Sequence, residues 1–175
     1  MRLIGLDPGL RATGWGVVDA VPGRLVHVAN GVLKISPKAP LSERLNQIYQ
    51  GLIEIIDTWQ PDAAAVEETF VNQNPASTLK LGQARGAVLV AAAGAGLAVA
   101  EYAPNRIKKS VVGVGHASKT QIRDMVGRLL PGCEVAGEDA ADALAVAICH
   151  AHYMETIDRW SGRENPAAVQ GGGRR

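Results

Sequence analysis

A helix that is apolar nearly all round its axis constrains this fold more than any other feature of the sequence. Ala140, Ala141 and the segment 143–148 (ALAVAI) follow one another near the carboxyl end of the chain. Such a helix has no face that favours water, so it packs tightly against other elements. Its many alanines allow it to lie close to a sheet. We therefore expect this helix to lie against a sheet formed by the rest of the chain.

Short apolar segments bounded by turn signals predict that sheet. The five predicted strands are 2–6, 14–20, 24–35, 62–68 and 97–103. Val21-Pro22-Gly23 is typical of a hairpin, so we expect the first three strands to be antiparallel. The fourth contains only small apolar residues at its centre, which indicates burial on both faces.

Helical periodicity predicts five helices between and after these strands. They are 41–59, 74–96, 104–113, 118–130 and 138 to about 159. Ser42 and Ser118 are candidate N-caps, and Pro61 ends the first helix. This order predicts one α/β domain over residues 1–158, with a mixed sheet and helices on both faces. The polar, glycine-rich residues 159–175 are expected to be disordered.

Composition narrows the class of protein. The chain has 175 residues, of which 47% are hydrophobic and 20% charged, as in an ordinary globular domain. Its longest apolar stretch, 87–100, is too short to span a bilayer, and no signal-peptide pattern follows Met1. We expect a cytoplasmic protein with no membrane partner. Cys133 and Cys149 match no zinc spacing and are interpreted as reduced thiols.

The net charge of +1 conceals two segments of opposite sign. Residues 104–128 carry six basic side chains and one acidic one, whereas 134–142 carry four acids and no base. This pattern suggests a polyanionic partner beside a cation site. Two solvated helix faces would produce the same pattern.

The stretch LDPGLRATGWG (6–16) begins like a phosphate-binding loop. Gly9 and Gly14 have the right spacing, but Trp15 and Gly16 stand where a P-loop has Lys and Ser or Thr. The stretch also resembles the phosphate loop of actin-like kinases, but those enzymes need two large lobes. We interpret both glycines as shaping a turn and letting the backbone approach the site. The chemistry is assigned to Asp7.

Four carboxylates are candidates for one site. Asp7 and Glu67 stand at the carboxyl ends of the first and fourth strands, and they share a crevice if those strands are parallel neighbours. Asp139 and Asp142 lie on one face of the last helix, although they could merely favour its dipole. Oxygen ligands suit Mg²⁺ or Mn²⁺. Two such ions, roughly 3.5–4 Å apart, are the standard device for phosphodiester hydrolysis.

Five segments in order resemble the RuvC family of Holliday-junction resolvases over roughly residues 1–152. They are IGLDPGLRATGWGVV, AVEETF, LKLGQARG, IKKSVVGVGHASKTQI and DAADALAVAICHAH. The resemblance implies an RNase H-like, retroviral-integrase-type fold and a homodimer that cleaves four-way DNA junctions with two Mg²⁺ ions, Mn²⁺ being a possible substitute. It implies the RuvA–RuvB branch-migration complex as a partner. It also assigns catalysis to Asp7, Glu67, Asp139 and Asp142.

Several residues outside the acids are candidate DNA contacts. Phe70, the only phenylalanine, follows Glu67 closely and is interpreted as a wedge that stacks on an unpaired base, although a lone aromatic residue is more often core. Lys108 and Lys119 align with RuvC lysines near the scissile phosphate. The remaining expected backbone contacts are Arg106, Lys109 and His116, each of which could instead be solvated. His150 and His152 are interpreted as structural.

Small residues one turn apart predict a close helix contact within 74–96. Gly82, Gly86 and Val90 form this surface, which faces either the chain's own sheet or, as the resemblance implies, a second copy. Two other functions stay open: an RNase H-like nuclease that acts on RNA or RNA–DNA hybrids, and a junction-binding module without catalysis. The four acids and the basic segment favour the DNA resolvase.

Overall fold

The computed structural model describes residues 1–68 and 74–161, except the side chains of 158–161. Its strands are β1 (Arg2–Asp7), β2 (Ala12–Val21), β3 (Arg24–Lys34), β4 (Ala63–Glu67) and β5 (Ala98–Tyr102). They form one mixed sheet in the order β3-β2-β1-β4-β5. The first three strands are antiparallel, whereas β1, β4 and β5 run parallel. The predicted fold class and the parallel pairing of β4 with β1 are confirmed.

The helices cover both faces of this sheet. They are α1 (Leu41–Trp59), α2 (Pro75–Gly94), α3 (Pro104–Val112), α4 (Lys119–Leu129) and α5 (Glu138–Ser161). One core joins α1 and α2 to the sheet, and a second core on the other face joins α3, α4 and α5 to it. None of the helices in the described part of the chain is long and apolar enough to cross a membrane. The predicted tail beyond 161 lies outside the described residues.

Helix caps show where local prediction succeeded and failed. Ser118 caps α4, and its side chain and that of Gln121 form a complete capping box. The prediction for Ser42 is wrong, because α1 begins at Leu41. Pro40 therefore occupies the cap position and makes no side-chain hydrogen bond.

Three glycines bring α5 onto the sheet. A Cβ atom on Gly5 would lie 2.5 Å from the backbone nitrogen of Ala147, and one on Gly16 would lie 2.6 Å from Cδ2 of Leu144. A Cβ on Gly14 would lie 2.5 Å from the carbonyl carbon of Asp139. Real side chains do not tolerate such distances. Only glycine at these three positions therefore leaves room for α5 against the sheet. The predicted close approach is confirmed.

The prediction that Gly14 shapes a turn is wrong, because this residue lies within β2 and pairs with Asp7. Gly9 does lie in the turn, where a Cβ would collide with the carbonyl oxygen of Ala12. The two glycines thus have different roles: Gly9 permits the turn and Gly14 admits the first turn of α5.

Candidate active site

The four predicted acids lie at one end of the sheet. Leu6 pairs with Val66 in the parallel register, so Asp7 and Glu67 are side by side at the carboxyl ends of β1 and β4. The backbone of Asp139 packs on Gly14, the partner of Asp7 in the antiparallel ladder. Asp142 follows one turn later on α5. The fold therefore brings together residues that are up to 135 positions apart in the chain.

Burial and mutual repulsion make this cluster hold a proton. Burial, followed by the negative charges of Glu67 and Asp142, raises the pKa of the Asp7 carboxyl to about 8. Burial is also the main reason that the pKa values of Glu67 and Asp142 are raised. Asp7 and Glu67 lie close enough for their charges to act on each other, so ionisation of one carboxyl disfavours ionisation of the other.

Lys108 and Lys119, two of the predicted DNA-contact residues, lie beside the acids. Nζ of Lys119 is 3.5 Å from Oδ2 of Asp142 and 3.4 Å from Oε2 of Glu138. The charge of Asp142 is the main reason that the pKa of Lys119 is raised. The positive charge of Lys108 acts on Glu67 and opposes the rise in the pKa of that carboxyl.

A cavity of about 180 Å³ opens between these groups. It is lined by Glu67, Pro104, Ile107, Lys108, Lys119, Ile122, Asp142 and Ala145. Two carboxylates and two ammonium groups therefore face one small space with an apolar wall. This arrangement suits an anionic group that is held by lysine and reacts next to carboxylates.

The donor set fits a hard divalent cation. Within 1–68 and 74–161, no three Asp, Glu, His or Cys side chains already converge closely enough to hold a metal ion. However, the site offers carboxylate oxygens only, which are the ligands that Mg²⁺ and Mn²⁺ prefer. A cation would also relieve the repulsion that raises the pKa of Asp7. We expect metal binding to draw these side chains together.

Three other predicted DNA contacts, Arg106, Lys109 and His116, do not line this cavity. Lys109 and His116 are exposed. Arg106 is exposed too, but its guanidinium lies 5.3 Å from the centre of the Tyr102 ring and 4.7 Å from that of Tyr153. Sequence reasoning missed this stacking, because the two rings come from distant segments. Phe70 lies outside the described residues.

The predicted helix surface on α2 faces away from its own sheet. Gly82 and Gly86 have open space where a Cβ would be, and Val90 is 62% exposed. Leu79, which is 66% exposed, is a further apolar member that the sequence reasoning did not include. The interpretation that these residues pack on the chain's own sheet is therefore wrong.

The remaining sequence candidates are structural. His150 is buried and hydrogen-bonded to Tyr102, and Nδ1 of His152 lies 3.2 Å from Oγ of Ser110. Cys133 and Cys149 are free thiols, as predicted. A larger cavity of about 970 Å³ lies at the opposite end of the sheet, around Met1 and the β2–β3 turn. Among the described side chains that line it, Glu155 is the one carboxylate, and the cavity is separate from the acid site.

Comparison with known proteins places the same residues in a family context. The family model described as "Crossover junction endodeoxyribonuclease RuvC" matches residues 3–150, which include all four acids. The protein of that name from Paramagnetospirillum magneticum is 62% identical over 156 residues, 89% of this chain and 94% of the relative. The one from Rhodospirillum rubrum is 58% identical over 153 residues, 87% of this chain and 90% of the relative.

Solved structures agree with the fold. The structure described as "T. thermophilus RuvC in complex with Holliday junction substrate" has a TM-score of 0.83 and 37% identity, and the match covers 90% of this chain and 96% of that one. The yeast mitochondrial Holliday junction resolvase Ydc2 has a TM-score of 0.69 at 10% identity, with 92% of this chain and 83% of the other covered. The second likeness supports the fold alone.

Proposed function

The chain belongs to the RuvC family of crossover junction endodeoxyribonucleases, and we propose that it resolves four-way DNA junctions through Asp7, Glu67, Asp139 and Asp142. The observation that carries this proposal is the meeting of these carboxylates with Lys108 and Lys119 at one end of the sheet. The Holliday junction in the similar T. thermophilus complex supports the choice of DNA over RNA as substrate.

The four acids would hold Mg²⁺, or Mn²⁺ in its place, and their number is sufficient for two ions. The bound cation supplies activation of water and stabilisation of the leaving oxygen. The protein's own part is to position the carboxylates and to release, when the site is loaded, the proton that the raised pKa of Asp7 favours.

The lysines would position the scissile phosphate. Lys119 would exchange part of its contact with Asp142 for a phosphate oxygen, and Lys108 on α3 lines the same cavity. Ile107 and Ile122 form a wall that limits the access of water. Because lysine contacts phosphate and not base edges, these contacts position the DNA without reading its sequence.

The other DNA contacts extend from this centre. Lys109 and His116 are exposed and able to meet the backbone, and Arg106 is able to do so from its outer side. Phe70 would stack on an unpaired base at the crossover. Family resemblance and a place shortly after Glu67 support the assignment of Phe70, whereas a place in the basic segment 104–128 supports those of Arg106, Lys109 and His116.

The exposed stripe on α2 would form a two-fold dimer. Leu79, Gly82, Gly86 and Val90 share one outward face, and the glycines let a second copy of α2 approach closely. Two identical sites related by a two-fold axis match a junction in which two symmetric strands are cut. The RuvA–RuvB complex as partner and a cytoplasmic location follow from the family alone.

The test is cleavage of a synthetic four-way junction labelled on each strand in turn. Duplex, single-stranded DNA and an RNA–DNA hybrid serve as substrate controls, each with Mg²⁺, with Mn²⁺ and with EDTA. Asp7→Asn is compared with Asp57→Asn, which changes an exposed carboxylate on α1.

We expect paired, symmetric nicks in the junction alone, lost with EDTA and with Asp7→Asn but kept in Asp57→Asn. Tight junction binding without nicking would reduce the protein to a binding module. Preferential cutting of the hybrid would move the substrate to RNA.

A further inference from the structure

We propose that Tyr102 and His150 form a positioning pair that holds Glu67 and Asp142 in register with each other. Tyr102 is 2% exposed and His150 is 6% exposed. Oη of Tyr102 lies 2.7 Å from Nδ1 of His150, so the two form a short, buried hydrogen bond. The catalytic consequence rests on the proposed function, whereas the structural link does not.

The backbone of Tyr102 is attached directly to the strand end that carries Glu67. The two residues are partners in the parallel β4–β5 register. The carbonyl oxygen of Tyr102 accepts a hydrogen bond of 2.9 Å from the backbone N–H of Glu68. A shift of Tyr102 is therefore transmitted to the backbone at Glu67 and Glu68.

The side chain of Tyr102 reaches the helix that carries the other acids. His150 lies two turns beyond Asp142 on α5, and residues 143–149 between them are buried. Close packing makes this part of the helix behave as a rigid element. The hydrogen bond thus joins β5, which is paired with the Glu67 end of β4, to the helix that carries Asp142.

A third element joins at the same place. The Arg106 guanidinium stacks on the rings of Tyr102 and Tyr153 and so ties α3 to this cluster. Lys108 is two residues further along α3 and lines the same cavity as Glu67 and Asp142. β5, α3 and α5 therefore meet around the ring of Tyr102, and β5 is paired with the strand end that carries Glu67.

The hydrogen bond fixes the orientation of Tyr102 relative to His150, which apolar packing alone would not do. A phenylalanine and a leucine would fill a similar volume, but they would not fix the direction of approach as a 2.7 Å bond does. Misplacement of reacting groups by about 1 Å lowers rates by about 100-fold. We therefore expect loss of this bond to affect catalysis more than junction affinity.

The experiment uses the full chain and compares Tyr102→Phe and His150→Leu, which break the bond, with His150→Gln, whose amide can remake it. Tyr49→Phe is the matched control, since it removes a tyrosine hydroxyl from α1 on the opposite face of the sheet. Three quantities are measured at a temperature where every variant is folded: single-turnover cleavage of a four-way junction, its Kd in EDTA, and hydrogen exchange at the Glu68 amide.

We expect Tyr102→Phe and His150→Leu to cleave about 10-fold more slowly with Kd changed less than twofold, within the range that misplacement produces. Exchange at Glu68 should be faster in both, His150→Gln should recover much of the rate, and Tyr49→Phe should match the parent. Unchanged rates and unchanged exchange in the folded variants would overturn the positioning role. If the parent cleaves no junction, the proposed function fails, and exchange at Glu68 alone still decides for or against the pair.

Discussion

Replacing Asp7 by asparagine should stabilise the metal-free protein at pH 8 while removing its activity. In the unfolded chain Asp7 loses its proton near its ordinary pKa of 3.8, whereas in the folded protein it keeps the proton up to about pH 8. Between these values the unfolded state binds fewer protons than the native state. Stability therefore falls as pH rises from 3.8 to about 8, and the loss is complete above that value.

The size of this loss of stability follows from the difference between the folded-state and unfolded-state pKa values of Asp7. About four pH units at about 1.4 kcal/mol each set an upper limit of about 6 kcal/mol. Because the charges of Asp7 and Glu67 act on each other, this loss belongs to the pair and is counted once. Asparagine removes one charge and can still donate a hydrogen bond to Glu67. Allowing for relaxation of the remaining carboxylates, we expect a gain of about 2–4 kcal/mol at pH 8 and about 1 kcal/mol at pH 5.

Urea denaturation in EDTA, followed by circular dichroism, measures this difference at both pH values. Asp57→Asn is the control, because that carboxylate is exposed on α1 and should leave stability nearly unchanged at either pH. Addition of Mg²⁺ should stabilise the parent more than Asp7→Asn. An Asp7→Asn protein no more stable than the parent at pH 8, or a gain equal at both pH values, would refute repulsion within the cluster as the cause.

Three further substitutions test Lys119, the glycines that face α5 and the proposed dimer surface on α2. Lys119→Ala removes the ammonium group 3.5 Å from Asp142 and should lower the single-turnover cleavage rate about 10-fold or more, while junction affinity changes little. An equal loss of cleavage rate and junction affinity would make Lys119 a binding residue only. Gly14→Ala should destabilise the fold by about 3 kcal/mol or more in the same urea titration, because the new methyl group meets the backbone of Asp139. The control, Gly127→Ala on α4, has open space around the new methyl group and should be neutral or stabilising. Val90→Glu should convert a dimer to a monomer in sedimentation velocity with the fold retained by circular dichroism, and a dimer that persists would exclude the α2 stripe.

Local patterns predicted the elements well, because hydrophobic periodicity and chain breakers act within a few residues. The predicted 41–59 helix matches α1, and the five strands differ from prediction by at most two residues at their ends. Ser42 failed as a cap because α1 begins at Leu41, so Ser42 lies inside the first turn of the helix. Gly14 was assigned to a turn because its true partner, Asp139, is 125 positions away.

The sequence by itself determined the order of the elements and placed Asp7 and Glu67 at strand ends and Asp139 and Asp142 on one helix face. Only the tertiary structure decided that burial and the neighbouring carboxylates raise the pKa of Asp7 and that Lys119 contacts Asp142. It also decided that Tyr102 bonds to His150. The physical reason is range: periodicity and capping are properties of neighbouring residues, whereas desolvation and charge coupling depend on which distant segments the packing of α5 on the sheet brings together.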